Sequence, residues 1–215
     1  VVQAGNFTVS GSTIDFGVAI PATSTNDFIF HYGTGLVTTV ADGAITTAKL
    51  GDASVTSAKL DAGKVLQVVS ATKTDTFTTS SSSFVDITGL SVSITPTSSS
   101  SKILVYGVTN VGNETSTAIA FVNLVRDSTS IFLGDAAGSR TRASGHSRNA
   151  DRGEMQNISM VTLDSPNTTS ATTYKIQMAS QSSFTAVLNR TGFDGDEAPQ
   201  ARTASSITVM EISAW

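Results

Sequence analysis

Residues 89–110 read GLSVSITPTSSSSKILVYGVTN, a hydroxyl-rich turn set between two differently patterned apolar runs. In the first run Leu90, Val92 and Ile94 alternate with Ser91, Ser93 and Thr95. Successive side chains of a strand point to opposite faces, so a period of two buries one face and wets the other. The second run is apolar on both sides. Ile103 and Val105 would face one way, Leu104 and Val108 the other. One apolar face can fill a core between two sheets, and the other then needs a cover of its own.

Both patterns recur on either side. Short apolar segments are predicted as strands at Val65–Val69, Thr76–Thr79, Phe84–Ile87, Ile119–Val125 and Ile131–Leu133. Ile158–Leu163, Tyr174–Met178, Phe184–Leu188 and Ile207–Ile212 complete the set. Clusters of Ser, Thr, Gly, Asn and Asp separate them, and no stretch carries the spacing of an amphipathic helix. About ten short strands in this pattern predict an all-β domain over 64–215, an antiparallel β-sandwich or jelly roll. Ile207 and Val209 oppose Met210 and Ile212, so the last strand is also two-faced. Either insertions of the same chain cover the second face, or identical chains cover it around a symmetry axis. On the second reading Met210, Ile212 and the sole tryptophan, Trp215, belong to the interface.

Ahead of this domain, residues 41–60 read ADGAITTAKL and then GDASVTSAKL, two copies of one ten-residue unit. Asp42 aligns with Asp52, Ile45 with Val55, Lys49 with Lys59 and Leu50 with Leu60. A unit with one β-branched residue and one leucine buries its face only against neighbours. Two copies fall short of the three or so repeats that a free-standing stack needs. The residues Ile45, Leu50, Val55 and Leu60 therefore become candidates for contact with identical chains. Residues 41–63 are expected to form a short homotrimeric shaft. Before it, residues 1–40 read as a small β-module. Phe7–Val9 and Thr13–Phe16 flank a Gly-containing turn as a hairpin, and Phe28–Tyr32 is a further strand.

Composition narrows the function classes. Charged residues make up 14% of the 215, against roughly 25% in an average soluble domain. A net charge of −4 argues against non-specific nucleic-acid binding. The absence of cysteine rules out disulfides and thiolate metal sites. No apolar run reaches the ~18 residues of a membrane span, so membrane insertion is not expected. The chain opens on Val1-Val2-Gln3 without a methionine and reads as a fragment or a processed product.

The most polar stretch, 134–156, holds Arg140, Arg142, His146, Arg148 and Arg152. Arginine forks match carboxylate and phosphate geometry, so these residues are receptor-binding candidates for an anionic surface glycan. The alternative is a solvated loop whose arginines pair with Asp135 or Asp151. A second polar loop, 189–203, reads NRTGFDGDEAPQART. Its Phe193 is a candidate aromatic platform for a sugar. Asp194 and Asp196 are a weak candidate cation site, without the alternation of a calcium-binding loop, so no metal or other cofactor is expected. There is no G-x-S-x-G elbow and no visible carboxylate pair, and only two histidines occur, so no catalytic residue is assigned and no enzyme is expected.

The run FTVSGSTIDFGVAIPATSTNDFIFHYGTG, followed directly by the TTAKL-type decapeptides, resembles a module of tailed-bacteriophage fibre proteins. The segments GKVLQVVSATKTDTF, ITGLSVSITPTSSSSKILV, RDSTSIFLGDAAGSRTRAS, LDSPNTTSATTYKIQM and RTASSITVMEIS resemble fibre-tip domains of tailed phages, marine ones especially. The resemblance implies a homotrimeric virion appendage ending in a β-knob, with other virion proteins and a host cell-surface glycan or protein as partners. It implies no binding residues. The alternative within this reading is a structural virion fibre, capsid-decorating or a tail adaptor, with no receptor role.

Overall fold

The computed structural model describes residues 8–10, 13–15, 40, 42–52, 54–56, 59, 63–182 and 184–214. The chain divides into two compact units, Val1–Ser54 and Val55–Trp215. In the first, β1 (Thr8–Ser10) pairs antiparallel with β2 (Thr13–Asp15), Val9 opposite Ile14. This is the expected hairpin. The strand expected at 28–32 lies outside the described residues, as do Leu60 and Trp215.

Each decapeptide closes the same local turn. Lys49 N–H donates to the Thr46 carbonyl at 2.9 Å, and Lys59 N–H donates to the Thr56 carbonyl at 2.9 Å. Thr47–Lys49 is a single turn of 3-10 helix with no buried residue. The apolar members of the repeats, Ile45, Leu50 and Val55, are all exposed.

The second unit is all-β, built of two antiparallel sheets. Its strands are β3 (Val65–Lys73), β4 (Phe77–Thr79), β5 (Val85–Ile94), β6 (Lys102–Asn113), β7 (Ile119–Arg126) and β8 (Thr129–Ile131). Then follow β9 (Gly145–Arg148), β10 (Gln156–Asp164), β11 (Thr172–Ser180), β12 (Ala186–Leu188) and β13 (Ser205–Ile212). One sheet runs β3-β13-β6-β12-β4, with β10 on the other edge of β6; the second runs β5-β11-β7-β8, with β9 also on β7. The inward face of each strand meets in one core. Leu90, Val92, Ile94, Tyr174, Ile176, Met178, Val122 and Leu124 come from the second sheet, and Ile103, Val105, Met160, Ile207 and Val209 from the first. No helix among the described residues is long and apolar enough to cross a membrane.

Three expectations change. The strand expected at Ile131–Leu133 is β8, which ends at Ile131 because Phe132 turns the chain at φ +57°. Phe84–Ile87 and Leu90–Ile94 are not separate strands but the two ends of β5. Gly89, at φ +89°, carries the chain through a bulge opposite Lys175–Gln177 of β11. Residues 134–156 are not one loop either, because β9 lies within them and pairs with β7, Ile119 opposite Arg148.

β6 is the strand on which the first sheet is built. On one edge it pairs with β10 from Ile103 to Val111. On the other it pairs with β13 from Lys102 to Val108 and then with β12 from Val111 to Asn113. Fully buried Asn189 fills the seam between those two partners. Its N–H donates to the Asn110 carbonyl at 2.9 Å, and its side-chain amide donates to the carbonyls of Lys73 at 2.9 Å and Asp75 at 3.0 Å. Ser205 Oγ donates to Asn189 Oδ1 at 2.6 Å and accepts from Asn110 N–H at 3.1 Å.

Glu211 closes the opposite end of β13, pointing inward and fully buried. Its carboxylate accepts from Gln67 Nε2 at 2.6 Å and from the Thr97 N–H and hydroxyl, each at 2.7 Å. Burial alone pushes the Glu211 carboxyl up, but the hydrogen bonds from Gln67 and Thr97 outweigh it and hold the pKa below the ordinary value.

Two stability predictions follow from these contacts. Replacing Asn189 by Ala strands the Lys73 and Asp75 carbonyls and the Ser205 hydroxyl and puts Ala at φ +61°. The expected loss is about 2–4 kcal/mol, read from the urea midpoint. The Glu211 carboxylate stabilises fully above the ordinary glutamate pKa of about 4.3, and its contribution fades as pH falls through the lowered folded value. Denaturation midpoints of wild type and Glu211→Gln should differ most at pH ~7 and converge only once pH has fallen below the lowered folded pKa.

Candidate functional site: the Arg152–Phe193 cleft

Where β12 ends, the chain leaves the sheet as a loop and returns at β13. Arg190 and Arg202 form an antiparallel bridge at its base. Two guanidinium groups side by side would repel, and the loop supplies the anion between them. Arg202 donates to Asp194 Oδ1, and Arg190 Nε lies 3.7 Å from Asp194 Oδ2. Arg190, nearly buried, also donates to Glu114 Oε1 at 2.5 Å. The hydroxyl of Thr191 donates to Gln200 Oε1 at 2.5 Å, and Gln200 N–H donates to the Glu197 carbonyl at 2.9 Å. These bonds tie the polar tip into a defined shape.

Gly192 brings this loop to its neighbour. A Cβ at this position would fall 2.0 Å from the Asn113 carbonyl oxygen at the end of β6, so only glycine fits. Its N–H donates to the Arg152 carbonyl at 2.7 Å, and Arg152 Nη2 returns a bond to the Gly192 carbonyl at 3.4 Å. The Arg152 segment is itself folded tightly. Asn149 Nδ2 donates to the Glu154 carbonyl at 2.7 Å, and Gly153 N–H donates to Asp151 Oδ1 at 2.6 Å. Arg152 therefore sits with its guanidinium carbon 4.7 Å from the Phe193 ring centroid, within cation–π range. Its Nε is buried and has no hydrogen-bond partner. An open cleft of about 650 Å³ results, lined by Arg152, Phe193, Asp194, Gly195, Glu197 and Gln200.

Of the six receptor-binding candidates, Arg152 and Phe193 meet here. Arg140 and Arg142 lie exposed in the segment before β9, Arg142 Nε donating to the Gly134 carbonyl at 2.8 Å. His146 and Arg148 are exposed on one face of β9. Among the described residues none of Arg140, Arg142, Arg148 and Arg152 makes an ion pair, so Asp135 and Asp151 do not neutralise them. Asp194 is held by the arginine clamp, and the described residues contain no cluster of three or more His, Asp or Glu placed to hold a metal. The residues that sequence reasoning missed are Arg190 and Arg202. Their signal was present, as two arginines placed about the acidic tip of a loop.

No family model matches the chain, and no curated protein does. Among solved structures it is similar to that of infectious bursal disease virus Gt strain, with a TM-score of 0.39, 15% identity and coverage of 72% of this chain and 39% of the other. The Gx strain of the same virus gives 0.38 and 14%, over 71% and 42% of the two chains. Particles derived from that virus with T=1 symmetry give 0.35 and 13%, over 69% and 36%. The chain thus spans less than half the length of each. Likeness of this size carries no argument about function.

The clamp predicts unequal effects of its two arginines. Arg190→Met leaves Glu114 and Asp194 without their buried partner and should cost about 1–3 kcal/mol. Arg202, with 57% of its side chain exposed, should cost less than about 1 kcal/mol when replaced by Met. Chemical denaturation of the two variants separates them.

Proposed function

We propose that this chain is a virion fibre protein, homotrimeric, whose β-sandwich is a terminal knob that holds the host surface. The mechanism is binding rather than catalysis, and its partners are further copies of itself, other virion proteins and a host glycan or protein. The order of hairpin module, TTAKL-type repeats and two-faced β-domain supports this reading.

The observation that carries it is the outer face of the first sheet. Register places Val68 opposite Met210, Met210 opposite Leu104, and Leu104 opposite Leu163, an apolar row across four strands. Tyr106 and Val161 sit opposite each other in the next row, and Ile212 and Val65 in the row on the other side. Val65, Val68, Tyr106, Val161 and Leu163 are exposed, while Met210 and Ile212 are half-covered. Lys102 is the one charged residue at the outward positions of these rows among the described residues. A contiguous, nearly uncharged apolar face on a lone chain marks an association surface. The outer face of the second sheet is different in kind, since Asp86 accepts there from Lys175 at 2.8 Å and from Gln177 at 2.7 Å. Exposed Ile45, Leu50 and Val55 in the repeats ask for the same cover.

Sedimentation of the full chain should show a three-chain species. Val68→Asp combined with Leu163→Asp should return it to single chains while the circular dichroism of the sandwich persists. A wild-type chain that sediments alone at micromolar concentration would remove the basis for the fibre reading.

A further inference from the structure

We propose that the Arg152–Phe193 cleft binds an acidic sugar, a saccharide unit carrying a carboxylate. The inference rests on the host-surface reading and names the chemistry of the ligand.

A guanidinium offers five N–H donors in a rigid fork. In Arg152 one of them makes a single long bond, 3.4 Å to the Gly192 carbonyl, and the buried Nε makes none. No carboxylate of the described residues pairs with it. Asp194 also lines the cleft, but Arg202 and Arg190 already hold it, so it does not quench Arg152. Contact with the Phe193 ring holds the fork in place before any ligand arrives. The fork is thus oriented, charged and short of an acceptor.

The rest of the lining narrows the class. Exposed Glu197 makes no ion pair and can accept from hydroxyls. Gln200 spends its oxygen on Thr191, which leaves its amide NH₂ as the group it can offer. Phe193, 42% exposed, gives an apolar surface for the C–H face of a ring. Bare phosphate would bring no hydroxyl donors to Glu197 and make no use of Phe193. A metal cation would meet repulsion from Arg152, and an apolar ligand would strand both charges. A sugar acid satisfies all of them at once, its carboxylate on the Arg152 fork, its hydroxyls on Glu197 and Gln200, and its ring against Phe193.

The test uses the full chain and calorimetric titration with trigalacturonate, triglucuronate, a neutral galactose trisaccharide and inorganic phosphate. At least one acidic trisaccharide should bind at least tenfold more tightly than the neutral one, and phosphate should not saturate. Arg152→Gln should weaken the acidic trisaccharide at least tenfold. Glu197→Ala, which leaves the Arg152–Phe193 contact intact, should weaken acidic and neutral trisaccharides alike. Thermal melts of both variants establish that they are folded. Equal affinity for acidic and neutral sugars, no binding of either acidic one, or full binding by folded Arg152→Gln overturns the proposal. Adsorption of labelled chain to intact bacterial cells separates the two levels. Cell binding that persists in Arg152→Gln sinks the acidic-sugar site and leaves host binding standing. Trisaccharide binding without adsorption to any cell upholds the site and sinks the host reading.

Discussion

A strand edge can be shared end to end by two partners only if something satisfies the backbone at the joint. The seam on β6 between β13 and β12 is such a joint, and it is buried. Carbonyls of Asn110, Lys73 and Asp75 converge on it, and unpaired carbonyls at such a seam are costly. Asn189 answers all three with one backbone N–H and one side-chain amide. Asparagine suits the place because its short amide reaches neighbouring backbone and it tolerates the left-handed conformation that the turn demands. The same turn throws residues 190–204 out of the sheet. The cleft is therefore a by-product of closing the seam, and loop and sheet are fixed by one set of bonds.

Much of the sandwich was legible in the sequence because one side of each strand is apolar and the period is two. The reading failed where the period was interrupted. In β5, Ile87 and Leu90 both point inward although they stand three apart, since the bulge at Gly89 flips the phase. A pattern test sees two segments there, and the backbone makes one strand. In β9 the sequence GHSR holds no apolar residue at all. Gly145 is required because a Cβ would lie 2.5 Å from Ile158 Cγ2, and Ser147 is buried behind it. Close packing rather than hydrophobicity recruits that strand, and close packing leaves no periodic trace. The cleft was half legible. Arg152 and Phe193 stood out as residue types, but what brings them together is the contact of Gly192 with Asn113, which no local pattern encodes.

The scarcity of charge acquires a structural meaning in the contrast between the two outer faces. The ion pairs that exist are used inside the fold's own geometry. Arg126 donates to both oxygens of Asp164 at 2.8 Å, and Tyr174 adds a bond to the same carboxylate at 2.7 Å, tying β7 and β11 of one sheet to β10 of the other. Burial, with Asp164 beside it, pushes the Tyr174 hydroxyl far up, so it stays a neutral donor. On the first sheet's outer face hydroxyls take the place of ions, as in the 2.8 Å bond between Ser70 and Thr208. Such a surface resists neither dehydration nor the approach of an identical surface, because no like charges must be brought together.

The apolar outer face and the cleft occupy different parts of the same strand. The apolar rows cross β6 from Lys102 to Tyr106, whereas the cleft loop is pinned at Asn113. At about 3.3 Å per residue, seven residues of β6 put roughly 23 Å between them. Copies that met through the apolar rows would thus leave the strand ends, and the Arg152–Phe193 pair on each, outside the contact. A cyclic arrangement would then display identical clefts around one axis at fixed separation. A single open cleft with one guanidinium and one ring can hold a sugar only weakly, and several held rigidly together convert weak contacts into lasting attachment. On the proposed reading, the exposed apolar sheet and the small cleft call for the same assembly.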